Sequence, residues 1–151
     1  MNTNLKVKAK SIYFYKKSLK KYKIIMQEII KKFKFREVPI VINAPESLKN
    51  QFIKLGCKTV LDESHKNTNT LVFINNNKEY LEFLNTRLTN IGHDSVLWFA
   101  YPKGTSKIKT DVNRDTIRVT GETFNITTVT AVSIDSTWSA LRFRPIESVG
   151  K

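Results

Sequence analysis

Val96-Leu97-Trp98-Phe99-Ala100 runs without a break into Tyr101-Pro102-Lys103-Gly104-Thr105-Ser106-Lys107-Ile108-Lys109-Thr110-Asp111, and then to Arg114-Asp115. A buried strand that gives way at once to cations, hydroxyls and a carboxylate puts polar chemistry at a strand's carboxyl end. Open α/β sheets bind ligands there, and binding residues concentrate on such loops. Tyr101, Lys103, Ser106, Lys107, Lys109 and Asp111 are candidate ligand-binding residues on this ground, with Arg114 one turn into the helix that follows.

Upstream, Val38 to Ala44 is a continuous apolar run with β-branched residues, the pattern of a strand covered on both faces. Pro45 suits the first turn of a helix, where its missing N–H would be unpaired anyway. Leu48, Phe52 and Leu55 give that helix one apolar face, and Gly56 ends it. A short second strand is expected at Lys58–Leu61 and a third at Thr70–Ile74, followed by the turn Asn75-Asn76-Asn77. Tyr80, Leu81, Leu84 and Leu88 mark a second helix that closes near Asn90-Ile91-Gly92.

The fourth strand is Ser95–Tyr101. Thr110 or Asp111 is the expected cap of a third helix reaching about Gly121, because their oxygens accept from its first free N–H groups. Ile126–Ile134 and Thr137–Arg144 are separated only by Asp135-Ser136, so they pair as an antiparallel hairpin. Strand–helix alternation that ends in a hairpin predicts an α/β three-layer sandwich with a mainly parallel sheet, preceded by a basic N-terminal helix or arm.

The charge lies mostly outside that domain. Of the formal +13, residues 1–36 carry +11, with eleven lysines and one arginine against Glu28 alone, and residues 37–151 carry +2. The domains expected are a basic arm over residues 1–28 and a single α/β domain over residues 29–149. The arm's narrow vocabulary of Lys, Ile, Phe, Tyr, Asn and Met reads as compositional bias, a disordered or over-extended leader ahead of a start at Met26. Within it, Leu19, Tyr22, Met26, Ile29 and Phe33 follow the three-and-four spacing of an amphipathic helix with a basic face. A functional arm of this kind would take nucleic acid or an anionic membrane as its partner.

The single cysteine, Cys57, excludes an intramolecular disulfide framework and reads as a half-buried thiol rather than a nucleophile. With no run of ~18 apolar residues and no signal-peptide pattern, the expected location is cytoplasmic.

Three separated motifs carry a family resemblance. Asn43-Ala44-Pro45, the Tyr101-Pro102-Lys103 to Asp111 stretch with Arg114-Asp115, and Ile134-Asp135-Ser136-Thr137-Trp138-Ser139-Ala140-Leu141-Arg142-Phe143-Arg144-Pro145 resemble, in this order, the bacterial "domain of unknown function 3052" family. The resemblance spans roughly residues 29–149 and implies no established activity. More distantly, the order of elements resembles a shortened class I methyltransferase. That likeness implies the strand order 2-1-3-4-6-5, with a crevice at the switch point between the first and third strands. The chain departs from it at Asn43-Ala44-Pro45, where a glycine-rich turn would bring the backbone up to a nucleotide cofactor.

In the three-layer arrangement the carboxyl ends of the first, third, fourth and fifth strands bring Asn43, Asn75, Lys103 and Asp135 to one rim. Trp138 joins them as a candidate platform. Lysines, hydroxyls and a helix start suit an anionic small molecule, and a protein partner at the same loop is the other expectation. The general base of a methyltransferase-like enzyme would be Asp111 or Asp135. Gly104-Thr105-Ser106-Lys107 lacks the second glycine of a phosphate loop, there is no Gly-x-Ser-x-Gly elbow, and His65 and His93 have no neighbours at metal-ligand spacing. The sequence therefore names no catalytic residue, no metal site and no cofactor, and leaves the oligomeric state open.

Overall fold

Five strands make an open mixed sheet with helices packed against it, so the chain is an α/β protein. The structure, a computed structural model, describes residues 3–151; the side chains of residues 3, 4 and 22 lie outside the description, and with them the expected contribution of Tyr22 to the basic helix. Helix α1 (Thr3–Lys32) leads to strand β1 (Ile40–Ile42) and helix α2 (Glu46–Lys54). Strand β2 (Asn67–Phe73), helix α3 (Asn77–Thr86) and strand β3 (Ile91–Pro102) follow, then helix α4 (Arg114–Glu122) and the hairpin strands β4 (Ile126–Ser133) and β5 (Trp138–Pro145). No helix among the described residues is long and apolar enough to cross a membrane.

The sheet order is β1-β2-β3-β5-β4, with β1, β2 and β3 parallel and the last two pairings antiparallel. Two expectations change. The sheet is mixed rather than mainly parallel, and it holds five strands rather than the six of the expected order. The segment expected as a second strand, Lys58–Leu61, contributes only one bridge, Lys58 to Ile40. Val60 in that segment is 70 % exposed, so little apolar burial is available to extend the pairing.

Alternation along the strands sorts the core into two faces. Leu71, Phe73, Val96, Trp98 and Ala100 point to one, where Met26, Ile29 and Phe33 of α1 and Leu48 and Phe52 of α2 cover them. Val72, Ile74, Leu97, Phe99 and Tyr101 point to the other, beneath Tyr80, Phe83 and Leu84 of α3 and Ile117 of α4. Trp98 sets its indole edge-on to Phe33, 4.9 Å between ring centres, and donates from Nε1 to the Phe33 carbonyl at 3.0 Å. That bond satisfies the one polar atom of a side chain that is only 1 % exposed.

The helix ends explain where the chain turns. Gly56, at φ +87, closes the end of α2 as expected. Asn76 accepts from the Glu79 N–H to cap α3. Neither Thr110 nor Asp111 caps α4; Asn113 does, in a reciprocal box in which its side chain accepts from the Thr116 N–H and the Thr116 hydroxyl accepts from its own N–H. Thr110 and Asp111 are instead engaged with the turn before α3 and its first residue, as described below. The expected domain boundary at residues 28/29 falls inside α1, and Met26, upstream of it, is 3 % exposed against the sheet.

Candidate functional site

Parallel pairing of β1, β2 and β3 brings their carboxyl ends to one rim, and the antiparallel β5 begins where they end. Asn43, Asn75, Lys103 and Asp135 therefore share that rim. Their side chains are used in different ways.

Lys103 and Asp135 hold the hairpin turn. Lys103 Nζ donates to Ser133 Oγ and to the Asp135 carbonyl, each at 2.6 Å, and the Lys103 N–H donates to the Thr137 carbonyl at 2.7 Å. Asp135 Oδ1 accepts from the N–H groups of Thr137 and Trp138 at 2.8 and 2.7 Å, a carboxylate closing its own turn. Trp138, expected as a platform, is 3 % exposed and packs edge-on to Phe73, 5.1 Å between ring centres. It lies in the core because its position on β5 faces the α1–α2 side of the sheet. Tyr101, 9 % exposed on the opposite face, is core as well.

The loop after β3 folds back over β2. The Thr110 hydroxyl donates to the Asn75 carbonyl at 2.7 Å, and Asp111 Oδ1 accepts from the N–H of Asn77, the first residue of α3, at 2.8 Å. The carboxylate thereby satisfies one of the free N–H groups at the start of that helix. The start of α3 is thereby filled from within: the Asn75 N–H donates to Glu79 Oε2 at 2.7 Å and the Asn75 side-chain amide to Glu79 as well. Ser106 is half-buried and its hydroxyl has no hydrogen-bond partner among the described residues. Lys107, Lys109 and Arg114 are exposed and pair with no carboxylate among the described residues. The ion pair that forms on α4 is Arg118 with Glu122, at 3.1 Å.

A cleft of about 740 Å³ opens on the same rim between the ends of β1 and β2. Ile42, Leu61 and Phe83 supply its apolar wall, and Asn43, Asn75, Glu79, Glu82, Thr86 and Arg87 its polar groups. Two expected residues, Asn43 and Asn75, line it, whereas Lys103, Ser106, Lys107, Lys109 and Arg114 do not. Asn43 takes φ +57, a left-handed conformation that asparagine tolerates better than most side chains, and so turns the chain from β1 into α2 at the cleft's edge. Arg87, which lines the cleft, pairs with Glu63. Glu79, Glu82 and Thr86 were missed in the sequence because polar residues on a helix read as a solvated face. Their three-and-four spacing beside the apolar stripe of Tyr80, Phe83 and Leu84 was the available signal.

Other reactive groups are held inert. Burial pushes the Cys57 thiol up to about 11, which keeps it protonated and weakly nucleophilic at neutral pH. Asp62, the acid after the expected second strand, accepts from the Ser64 N–H and hydroxyl at 2.8 and 2.7 Å, and these bonds hold its carboxyl below the usual carboxylate range. Among the described residues no cluster of three His, Cys, Asp or Glu could hold a metal ion. No family model, curated protein or solved structure matches the chain.

Proposed function

We propose that this protein binds a small polar molecule in the crevice between the carboxyl ends of β1 and β2. One observation carries the reading. The helix after β1 covers one face of the sheet and the helix after β2 the other, and a cleft walled by α3, the end of β1 and residues 59–61 reaches the rim at this switch, at Asn43 and Asn75. Open α/β sheets bind ligands at such a divergence, and the cleft's volume falls within the ~300–1,000 Å³ typical of small-molecule sites.

The lining indicates the ligand's chemistry. Glu79 and Glu82 offer carboxylate acceptors, Asn43 an amide, and Ile42, Leu61 and Phe83 an apolar wall. A compact molecule bearing hydroxyl or amino donors matches that set better than an anion, which the two carboxylates would repel. The same reading takes the fold as a three-layer arrangement, with the Lys58 bridge marking the place of a further edge strand, and takes the three motifs as membership of the domain of unknown function 3052 family.

A second reading, an anionic ligand on the β3–α4 loop, is favoured by Lys107, Lys109 and Arg114, three exposed cations without an acid partner among the described residues.

Thermal-shift measurements on the full chain separate the two readings. Polyols, nucleosides and amines should raise the melting temperature of the wild type and do so less for Glu82→Gln, with Lys107→Gln/Lys109→Gln unaffected. Stabilisation by phosphate and nucleotides that is lost in Lys107→Gln/Lys109→Gln would instead select the loop. No shift from either set, together with native mass spectrometry free of any retained molecule, S-adenosylmethionine included, would overturn both.

A further inference from the structure

The amino-terminal two thirds of α1 stands clear of the sheet. Among the described residues the helix buries side chains in the core only from Met26 onward, through Met26, Ile29 and Phe33. Residues 5–25 span about 30 Å of helix at ~1.5 Å per residue. They hold eight lysines and no acid. Their large apolar side chains are in water: Leu5 is 66 % exposed, Val7 67 %, Ile12 54 %, Phe14 55 % and Tyr15 65 %.

Most of the two kinds of residue are sorted around the axis, with Lys8 and Lys23 on the apolar side and Tyr13 and Ile24 on the basic side. At about 100° per residue, Lys6, Lys10, Lys16, Lys17, Lys20 and Lys21 fall within one half of the helix circumference. Val7, Phe14, Tyr15, Leu19, Ile12 and Leu5 fall within the other. The apolar arc continues the stripe that packs on the domain, since Ile12, Tyr15 and Leu19 step by three and four residues toward Met26, Ile29 and Phe33. One helix thus carries a face that is covered at its carboxyl end and unpartnered over the rest of its length.

We infer that this projecting segment of α1 docks the protein on an anionic lipid bilayer surface, lying in the interface with its apolar arc among the acyl chains and its lysines at the headgroups. The charge pattern selects this occupant. A nucleic acid would engage the lysines through its phosphates and leave the apolar arc in water. A second copy of the chain would cover the arc but bring eight more lysines against eight, with no acid to offset them. An anionic membrane meets both faces at once, through burial of Leu, Ile, Phe and Tyr and attraction to the lysines. The segment's net hydropathy is too low for it to span the bilayer, which agrees with a helix that lies on it.

Co-sedimentation of the full chain with vesicles tests the inference. The protein should pellet with phosphatidylcholine vesicles that contain phosphatidylglycerol, stay in solution with phosphatidylcholine alone, and bind less as salt rises. Lys16→Gln/Lys17→Gln/Lys20→Gln/Lys21→Gln should weaken binding on the order of a thousandfold, at ~1 kcal/mol per lysine. Ile12→Ser/Phe14→Ser/Tyr15→Ser, which keeps every charge, should weaken it by roughly tenfold or more. All seven positions lie outside the core, so circular dichroism of the domain should be unchanged. Equal pelleting with both vesicle types, full binding by the charge-keeping variant, duplex DNA binding without vesicle binding, or a concentration-dependent dimer without vesicle binding would each overturn the inference.

Discussion

Gly121 sits where α4 presses closest to the sheet. A Cβ built there would lie 2.6 Å from Cε1 of Phe143, 3.0 Å from the Tyr80 hydroxyl and 3.3 Å from the Ile126 carbonyl. The Tyr80 hydroxyl cannot step aside without losing its 2.9 Å bond to the Ile117 carbonyl, and burial raises its pKa well above the ordinary tyrosine value. Alanine would gain about 1 kcal/mol of helix propensity, but overpacking costs about 1–3 kcal/mol. Gly121→Ala should therefore lower the urea midpoint of unfolding, and an unchanged or raised midpoint would show that the contact relaxes freely. The glycine is plain in the sequence. Its reason is not, because Phe143 lies on another element and reaches α4 only through the sheet.

At the scale of elements, the β3–α4 loop and the hairpin are latched to their neighbours by residues that look like ligand contacts in the linear chain. Lys103 is the sharpest case: its ammonium joins Ser133 and the Asp135 carbonyl and so ties the end of β3 to the β4–β5 turn. Lys103→Met keeps the aliphatic stem and removes both bonds, at a cost of about 1 kcal/mol given their partial exposure. Amide exchange at Ser136 and Thr137 should speed up, while small-molecule binding in the β1–β2 cleft stays intact. Lost cleft binding with unchanged exchange would return Lys103 to the site. Thr110 and Asp111 show the same conversion, since local pattern assigns them to the start of α4 and their oxygens instead reach the turn before α3 and its first residue. A capping rule applied along the chain sees only the nearest helix, and Asn113 lies nearer to α4 than either.

Across the whole molecule, an ion pair ties the end of the terminal hairpin to the start of β3. Arg144 at the end of β5 donates from Nε and Nη2 to the two carboxylate oxygens of Asp94 at the start of β3, both at 2.9 Å. The guanidinium's hydrogen bonds hold the Asp94 carboxyl below the usual carboxylate range. A depressed folded-state pKa means that the pair contributes above the unfolded value of about 3.9, and that this contribution is lost as pH falls through the lower folded value. Both side chains are partly exposed, so solvent screens the pair and the effect is modest. Melts of wild type and Asp94→Asn should differ near neutral pH and converge as pH falls below the ordinary carboxylate range; a gap that persists in strong acid would mean that the carboxylate's charge is not what matters.

Apolar runs, helical spacing and a two-residue turn between alternating segments determined locally that this is an α/β chain with a hairpin at its end and a lysine-rich helix at its start. These signals depend on which side chains leave water together within one element, so a single segment contains them. The tertiary structure alone decided that β1 stays short and that Trp138 belongs to the core. It also decided that Lys103, Thr110 and Asp111 hydrogen-bond to other elements of the fold, and that Glu79 and Glu82 face a cleft. Each of those outcomes depends on what a second element, distant in the chain, places opposite the residue, and hydrogen bonding and burial are settled only when both sides are present.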